Sequence, residues 1–592
     1  MATAHKLDEE QMKMAEELLF QEAMPMSFAK SMFFGRFDPS KALPYSSLKK
    51  EEVGRFKEFM AKLRYYLDGN LDPDWIDRNA EIPREVIKGL GEVGLLGMTV
   101  PKEYGGQGFS QHAYCKAIEE VGSRCGATAV FVNAHHSIGL RTLLIFGTQE
   151  QREKWLPSLC SGEKICAFAL TEPNAGSDVS NIETVAEYDP ETDEYVINGK
   201  KQWITNGGMA DVLTVMAKTE VEGKDGKKEM KVSAFLVTND MNGFVVTEKA
   251  LEKVGIRGTW TAKLEFHNLR VPAKNIIGKK GAGLSIPLGI LNFGRITFGA
   301  SCTGAAKFCL EHAVKHASKR VQFKRPIGTF GLVKDKLSMI GAVSYAMDAG
   351  TYLTASMFDR GVKDYMLEAA MIKVFASEAL WEIINETIQV FGGKAFFNDQ
   401  PFERMMRDAR LNSIGEGANE VLHNFIGLVG MREVGLSLQE LEEKAHHFSE
   451  FGSFLTGSIG TLWSMFKSPE IPLKVNELSG ELDELKAMYR RFHWIVTKLL
   501  AKYKEEILEA QLDVKRISDM AIALYTSTAV IVKWENDAHL PNADKEVLKV
   551  DLAKARYYLH LAFDKFEKSA AAIKSNLDEE SCALSDLLTG LE

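Results

Sequence analysis

The sequence predicts a mainly helical protein with one β-rich domain in its middle and a further all-helical block at its C-terminal end. Three observations carry this reading. Apolar residues recur at helical spacing on both sides of a segment, Ala167 to about Gly281, in which the apolar period drops to two. The long helical stretch after that segment contains few prolines, the pattern of an antiparallel bundle. A chain of 592 residues also exceeds what one hydrophobic core holds, so three or more packed units are expected. Hydrophobic residues at 45% and charged residues at 26% lie near the averages for folded proteins, so disorder does not dominate.

Residues 1–46 read as an N-terminal extension. Its first part, Met1 to Glu22, is rich in Glu and has neither the apolar run of a signal peptide nor the arginine bias of a transit peptide. Residues 47–166 read as a helical domain: Val86, Leu90, Val93 and Leu96 recur on one face, and Gly-rich turns such as Tyr104-Gly105-Gly106 punctuate the helices. Residues 167–281 read as the β domain. There Glu194–Ile197 and Lys201–Ile204 flank Asn198-Gly199-Lys200, a hairpin signal, and the runs Val212–Val215 and Ser233–Val237 follow. Residues 282–432 return to long helices, and residues 433–592 form the second helical block, with amphipathic stretches at Leu482–Leu508 and Val550–Ile573. Within that block Phe451, Phe454, Leu455, Ile459, Leu462, Trp463 and Phe466 recur opposite a face of Gly, Ser and Thr. This segment is shorter than the about 20 residues that span a bilayer, and it suits either an interfacial helix or an ordinary buried one.

Several function classes are excluded. A net charge of −9 without a basic stripe argues against nucleic acid as a partner. Seven cysteines without a Cys-x-x-Cys pair, and no histidine at zinc spacing, predict no metal site and a reducing compartment. There is no Gly-x-Gly-x-x-Gly, no phosphate loop and no His-Glu-x-x-His. His135 and His136 read as packed or capping residues, and Cys302 and Cys309, seven apart on one helix face, as core.

What remains is a series of loops. Leu170-Thr171-Glu172-Pro173-Asn174-Ala175-Gly176-Ser177-Asp178 opens the β domain, and Trp203-Ile204-Thr205-Asn206-Gly207-Gly208 follows. Hydroxyls with Gly-opened amides suit a polarised ring edge and a phosphate, and an indole suits a flat aromatic system; two ordinary turns would look the same. The bundle adds Arg320-Val321-Gln322-Phe323, Gln389-Val390-Phe391-Gly392-Gly393, Arg404-x-x-Arg407-Asp408-Ala409-Arg410 and Ile414-Gly415-Glu416-Gly417-Ala418-Asn419-Glu420. Taken alone, a glutamate between two glycines is equally a helix cap or a solvated loop residue.

In order and separation these motifs resemble the acyl-CoA dehydrogenase family, over roughly Tyr45 to Met431 and more weakly to both ends. The likeness is to its very-long-chain branch, through Ser27–Gly35, Ala134-His135-His136-Ser137-Ile138-Gly139, Asn292-Phe293-Gly294-Arg295 and Phe330-Gly331-Leu332-Val333, and through the presence of the C-terminal block. The resemblance implies the fold of that family: a helical domain, a β-barrel-like domain and a helical bundle, here with an added helical domain. It implies FAD as cofactor, with Phe168, Leu170, Thr171, Gly176, Ser177, Trp203, Ile204 and Thr205 around its ring and pyrophosphate. Arg320, Phe323, Gln389, Gly392 and Gly393 would hold the diphosphate and adenosine across a subunit boundary, hence a homodimer, and Ala418 and Asn419 would also lie at the cofactor. Arg295, Ser177 and Gly417 would contact the CoA thioester, and Glu416 would be the catalytic base. Some branches carry the base immediately before the arginine of the long helix, but that position here is Gly294. Two residues depart from the family pattern: Ala418 replaces a threonine near FAD, and Gly415 replaces a bulky neighbour of the base.

The function implied is oxidation of long- or very-long-chain fatty acyl-CoA to trans-2-enoyl-CoA in β-oxidation, with electrons passed to an electron-transfer flavoprotein. A thioester α-C–H is a very weak acid, so a carboxylate removes its proton only when the enolate is stabilised and hydride leaves the β-carbon closely after. Two rivals share the fold: a non-catalytic assembly or scaffold protein, and an oxygen-using acyl-CoA oxidase. Retention of Glu416, Trp203 and Thr171 argues against the scaffold. The expected location is a bacterial cytoplasm, with peripheral inner-membrane contact through the C-terminal domain, or the mitochondrial matrix for a processed eukaryotic chain.

Overall fold

The structure is a computed structural model that describes residues 26–223, 226–446 and 468–591. The N-terminal stretch Met1 to Glu22 and the apolar segment Phe451 to Phe466 lie outside the described residues. The fold is mainly helical, with a sheet in its middle. Two compact units are distinguished among the described residues: one lies within Ser47–Ile340 and Ala376–Ala418, the other comprises residues 26–46, Gly341–Phe375, 419–446 and 468–591.

The first unit carries the sheet. Eight strands are ordered β6-β7-β3-β2-β4-β5-β8, with β1 beside β4. They are β1 (Cys166–Ala169), β2 (Val185–Asp189), β3 (Glu194–Ile204), β4 (Val212–Glu222), β5 (Lys228–Thr238), β6 (Phe244–Glu248), β7 (Ala262–Pro272) and β8 (Ile276–Ile277). Period-two alternation divides their side chains between two cores. Leu213, Val215, Phe235 and Val237 join Tyr195, Ile197, Leu264 and Phe266 on one face. Val212, Met216, Val232 and Leu236 turn the other way, to Ile138, Leu140, Leu143, Leu156 and Ile290 of the helices.

The turn expected at Asn198-Gly199-Lys200 does not form. Glu194–Ile204 is one continuous strand whose register against β7 slips between Ile197 and Gly199. A Cβ at Gly199 would overlap Thr184, so the glycine serves a close approach of the neighbouring segment. The hairpin lies earlier: β2 and β3 pair antiparallel from Asp189 opposite Glu194, and Asp193 adopts the left-handed conformation in the connection.

Among the helices, Gln149–Cys160 begins with a capping box in which Thr148 and Gln151 each accept the other's backbone N–H. The 35-residue helix Ser285–Lys319 packs on Gln111–Gly122 at backbone distance. The contact needs glycine on both sides, since a Cβ at Gly304 would overlap the Glu119 carbonyl and one at Gly122 would overlap Ser301. The helical stretch Gly126–Phe146 is long and apolar enough to cross a membrane, yet its residues supply both an N-terminal core cluster (Ala127, Phe131, Val132) and the cluster against the sheet (Ile138, Leu140, Leu143).

In the second unit, helix Gln511–Ala538 is buried all round over residues 517–532 and forms the centre on which other helices lie. Gly427 and Gly430 of helix Asn419–His446 admit Val514 and the Phe33 ring, respectively, where a Cβ would collide. That helix runs unbroken through position 432. Buried Glu368 accepts the Ala29 N–H at 2.7 Å, and burial pushes its carboxyl up to about 7.

Candidate active site

Glu416 sits in a turn that follows the helix Phe402–Arg410, and that helix is tied down from three directions. Arg404 pairs with Asp74 at 3.1 Å, Arg407 forms a two-pronged pair with Asp77 at 2.6 and 2.9 Å, and Asp408 accepts the Ile256 N–H at 2.5 Å. Burial pushes the Asp408 carboxyl up to about 6, with the N–H from Ile256 and the charge of Arg404 opposing it. The arginine motif of the sequence thus does architectural work here, delivering the next turn at a fixed place.

The backbone of that turn is unusual. Glu416 has φ of 57° and Gly417 has φ of 96°. A non-glycine residue in this region costs about 1–2 kcal/mol, and such strain collects at functional sites. Trp203 (φ 57°) and Phe323 (φ 50°), both expected cofactor residues, carry the same mark.

The Glu416 carboxylate lies against the long helix at Gly294, where an added Cβ would stand 2.7 Å from Oε2. Asn133 donates its amide N–H to Oε1 at 2.7 Å, and the Thr297 hydroxyl donates to the other end of the same amide. Arg295, partly buried on the long helix, feels the carboxylate's charge. Burial draws its guanidinium down to about 10, and Glu416 works in the opposite sense. Tyr114 is fully buried nearby; burial raises its phenol well above its ordinary value, and Glu416 adds to the rise. The result is an acid–base group fixed in orientation, with a cation and neutral hydrogen-bonding groups around it.

The loops at the sheet entry are brought together. The Gln202 N–H, immediately before Trp203, donates to the Thr171 carbonyl at 3.0 Å and ties the start of one loop to the other. Beneath them Lys201 and Glu172 form a wholly buried ion pair at 2.6 Å, and Lys201 also donates to the Leu170 carbonyl at 3.0 Å. Glu172 further accepts the backbone N–H groups of Glu183 and Thr184. Above this anchor Trp203 is 61% exposed, Gly176 and Ser177 are exposed, and Phe168, Leu170, Thr171 and Thr205 are partly so. A Cβ at Gly176 would meet open space. This surface fits a flat aromatic ligand with an attached phosphate. Ile204 is buried in the sheet core, so its side chain does not face such a ligand.

Arg320, Phe323, Gln389, Gly392 and Gly393 form a separate exposed group at the ends of two helices, where His316 stacks on Phe391 at 4.2 Å. Phe323 is 90% exposed, and Gly392 and Gly393 have open space around them. Ala418 is partly buried beside the Glu416 turn. Asn419 belongs to the second unit, where its side chain accepts from buried Lys373 at 2.9 Å.

Sequence reasoning missed Asn133, Thr297, Tyr114 and the Lys201–Glu172 pair. Asn133 immediately precedes the Ala134-His135-His136 motif, but nothing local marks it, because its partner is 283 residues away. Both histidines are fully buried within a π-helical stretch, Asn133–Leu140. Burial draws His135 down to about 4 and His136 well below its ordinary value, so both stay neutral.

Comparison with known proteins agrees with this geometry. The chain matches the acyl-CoA dehydrogenase N-terminal domain at residues 55–163, the middle domain at 167–269 and the C-terminal domain at 281–430, and the ACAD9/ACADV C-terminal domain at 476–584. It is 35% identical to the mitochondrial very long-chain specific acyl-CoA dehydrogenase of Bos taurus, over 89% of this chain and 81% of that protein. Among solved structures, an acyl-CoA dehydrogenase complexed with FAD from Bacillus anthracis is similar with a TM-score of 0.78 and 28% identity, covering 95% of each chain. Butyryl-CoA dehydrogenase from Megasphaera elsdenii is similar with a TM-score of 0.59 and 32% identity, over 63% of this chain and 97% of that one. The protein belongs to the acyl-CoA dehydrogenase family.

Proposed function

We propose that this acyl-CoA dehydrogenase oxidises long- or very-long-chain fatty acyl-CoA to the trans-2-enoyl-CoA, with Glu416 as the base and an electron-transfer flavoprotein as electron acceptor. The observation that carries the reading is the Glu416 carboxylate, held in a left-handed turn against Gly294 by the Asn133 amide and close to the charge of Arg295. FAD, when bound, supplies the oxidant that takes hydride from the β-carbon. The chain's own groups do the rest. Glu416 takes the α-proton, and its fixed orientation supports transfer from a thioester that would lie over Gly417. The hydroxyls of Thr171, Ser177 and Thr205 and the Trp203 indole would hold and cover the cofactor, while Arg295 favours the ionised base before the proton moves. Ala418 offers the cofactor no hydroxyl.

Preference for long acyl chains is supported by the very-long-chain relatives and by the matching C-terminal domain. A homodimer is supported by the exposed large side chains Val321, Phe323, Leu332, Phe396 and Phe397, and Arg320, Gln389, Gly392 and Gly393 would then complete the cofactor site of one subunit from the other. Membrane contact would come from the segment Phe451 to Phe466; co-sedimentation with liposomes, compared with a Leu462→Asp, Trp463→Asp double variant, tests it.

The test of the function is Glu416→Gln. The amide keeps the acceptor for Asn133 and removes only the base. The variant is expected to bind FAD and palmitoyl-CoA but not to bleach under anaerobic conditions, whereas wild type bleaches. Bleaching at a wild-type rate overturns the assignment of the base.

A further inference from the structure

Asn133 opens the π-helical stretch Asn133–Leu140, an irregularity that widens the helix and often accompanies function. It is buried, and both ends of its amide are engaged. The donor end must face Glu416, because a carboxylate only accepts, and a flipped amide would set oxygen against oxygen. Its acceptor end receives the Thr297 hydroxyl. Thr297 is itself seated 2.9 Å from the Phe293 carbonyl, 3.0 Å from the Gly294 carbonyl and 3.2 Å from the Ser137 hydroxyl, and Ser137 meets the Tyr114 hydroxyl at 3.2 Å. A chain of hydrogen bonds therefore runs from the carboxylate through three helices, and each link fixes the next.

We propose that Asn133, locked by Thr297, is a positioning residue for Glu416: its amide holds the carboxylate ionised and in the one orientation that faces Gly294. The proposal rests on the reading of Glu416 as the base.

The charged and titratable groups that face Glu416 leave Asn133 a distinct part. Arg295, from the long helix, favours the ionised form but is fixed in charge across the working range. Tyr114, from helix Gln111–Gly122, stays neutral because burial raises its phenol, and His136, stacked on it at 4.1 Å, stays neutral because burial lowers its imidazole. Arg141 lies over the Phe293 ring at 4.2 Å and donates to Thr99 at 2.9 Å. Asn133 adds to them a directed N–H, given to Oε1 at 2.7 Å. A donor to a carboxylate favours its charged form, so removing one raises the pKa by about one unit.

Asn133→Ala and Thr297→Val test this, read by the pH dependence of anaerobic flavin bleaching at saturating palmitoyl-CoA, with bound FAD as the control for folding. Asn133→Ala is expected to move the acid limb up by about one pH unit. Thr297→Val, which unlocks the amide without removing it, should give a smaller shift in the same direction that Thr297→Ser reverses. An unmoved acid limb in an Asn133→Ala protein that retains FAD overturns the proposal. So does loss of FAD in both variants, which would make the network purely structural. Glu416→Gln run alongside separates the two readings: if it still bleaches, the base assignment fails, and if it is inert while the Asn133→Ala limb is unmoved, only the positioning role fails.

Discussion

Replacing Lys201 with methionine isolates what the buried pair under the Thr171 and Trp203 loops, the proposed FAD site, contributes. Lys201 and Glu172 are 0% and 2% exposed, 2.6 Å apart, and the same ammonium donates to the Leu170 carbonyl. Burial draws the ammonium down to about 8. For Glu172 burial works upward, but the lysine charge and the hydrogen bonds outweigh it and hold the carboxyl below its ordinary value. Breaking such a pair by deleting one partner costs about 3–5 kcal/mol. Two backbone N–H groups still hold the carboxylate here, so about 3 kcal/mol is the better figure. If that cost falls on the loop containing Thr171, the Kd for FAD rises on the order of 100-fold. Titration of apoprotein with FAD, followed by flavin fluorescence, reads this directly. Because the folded Glu172 pKa lies below its unfolded value, the pair's contribution is complete at neutral pH and is lost as pH falls through that lowered pKa. Wild type should therefore lose FAD steeply in that acid window and Lys201→Met should not. Adding Glu172→Leu should recover much of the loss, since an apolar pair leaves no stranded charge. A Lys201→Met protein that binds FAD within threefold of wild type would refute the reasoning.

Three further outcomes are expected. Gly294→Ala puts a Cβ 2.7 Å from Glu416 Oε2 and forces the carboxylate aside, so kcat should fall about 10–100-fold with FAD content unchanged; a kcat within twofold would mean the observed carboxylate position is not the reactive one. Gly415→Phe should lower peroxide yield per turnover, because the residue beside Glu416 has room, with only ordinary contact to Leu411 at 3.5 Å, and a ring there would shield a reduced cofactor bound at the proposed site; equal yields would remove the argument. Phe323→Asp should give monomers by light scattering together with weakened FAD binding, and a fully loaded dimer would reject the shared site.

What the sequence disclosed and what it hid divide along the range of the interactions. The β domain was legible because a change of apolar period is a local signal, and in the structure Val212 and Leu213 face opposite cores, as period two requires. The helix Gln511–Ala538 left no such trace, since a helix buried on every side has no polar stripe to give it a period. Asn198-Gly199-Lys200 misled because glycine marks a close approach as readily as a turn, and only the strand packed against it tells which.

The same division separates Glu416 from the group that holds it. The glutamate was legible through the family pattern that spans its turn, since its two flanking glycines alone mark no role. The constraint on its carboxylate comes from elsewhere, from Asn133 at a separation of 283 residues and from Gly294 on the long helix. Gly294 was legible only as a residue that is not a glutamate, yet in the structure its missing side chain is the space the carboxylate fills. Asn133 was not legible at all, because a buried amide is defined by what meets its two ends and a sequence shows neither. The position of the Glu416 carboxylate is therefore set by partners remote in sequence, which is why perturbing Asn133 or Gly294 is the sharper probe of the proposed role of Glu416.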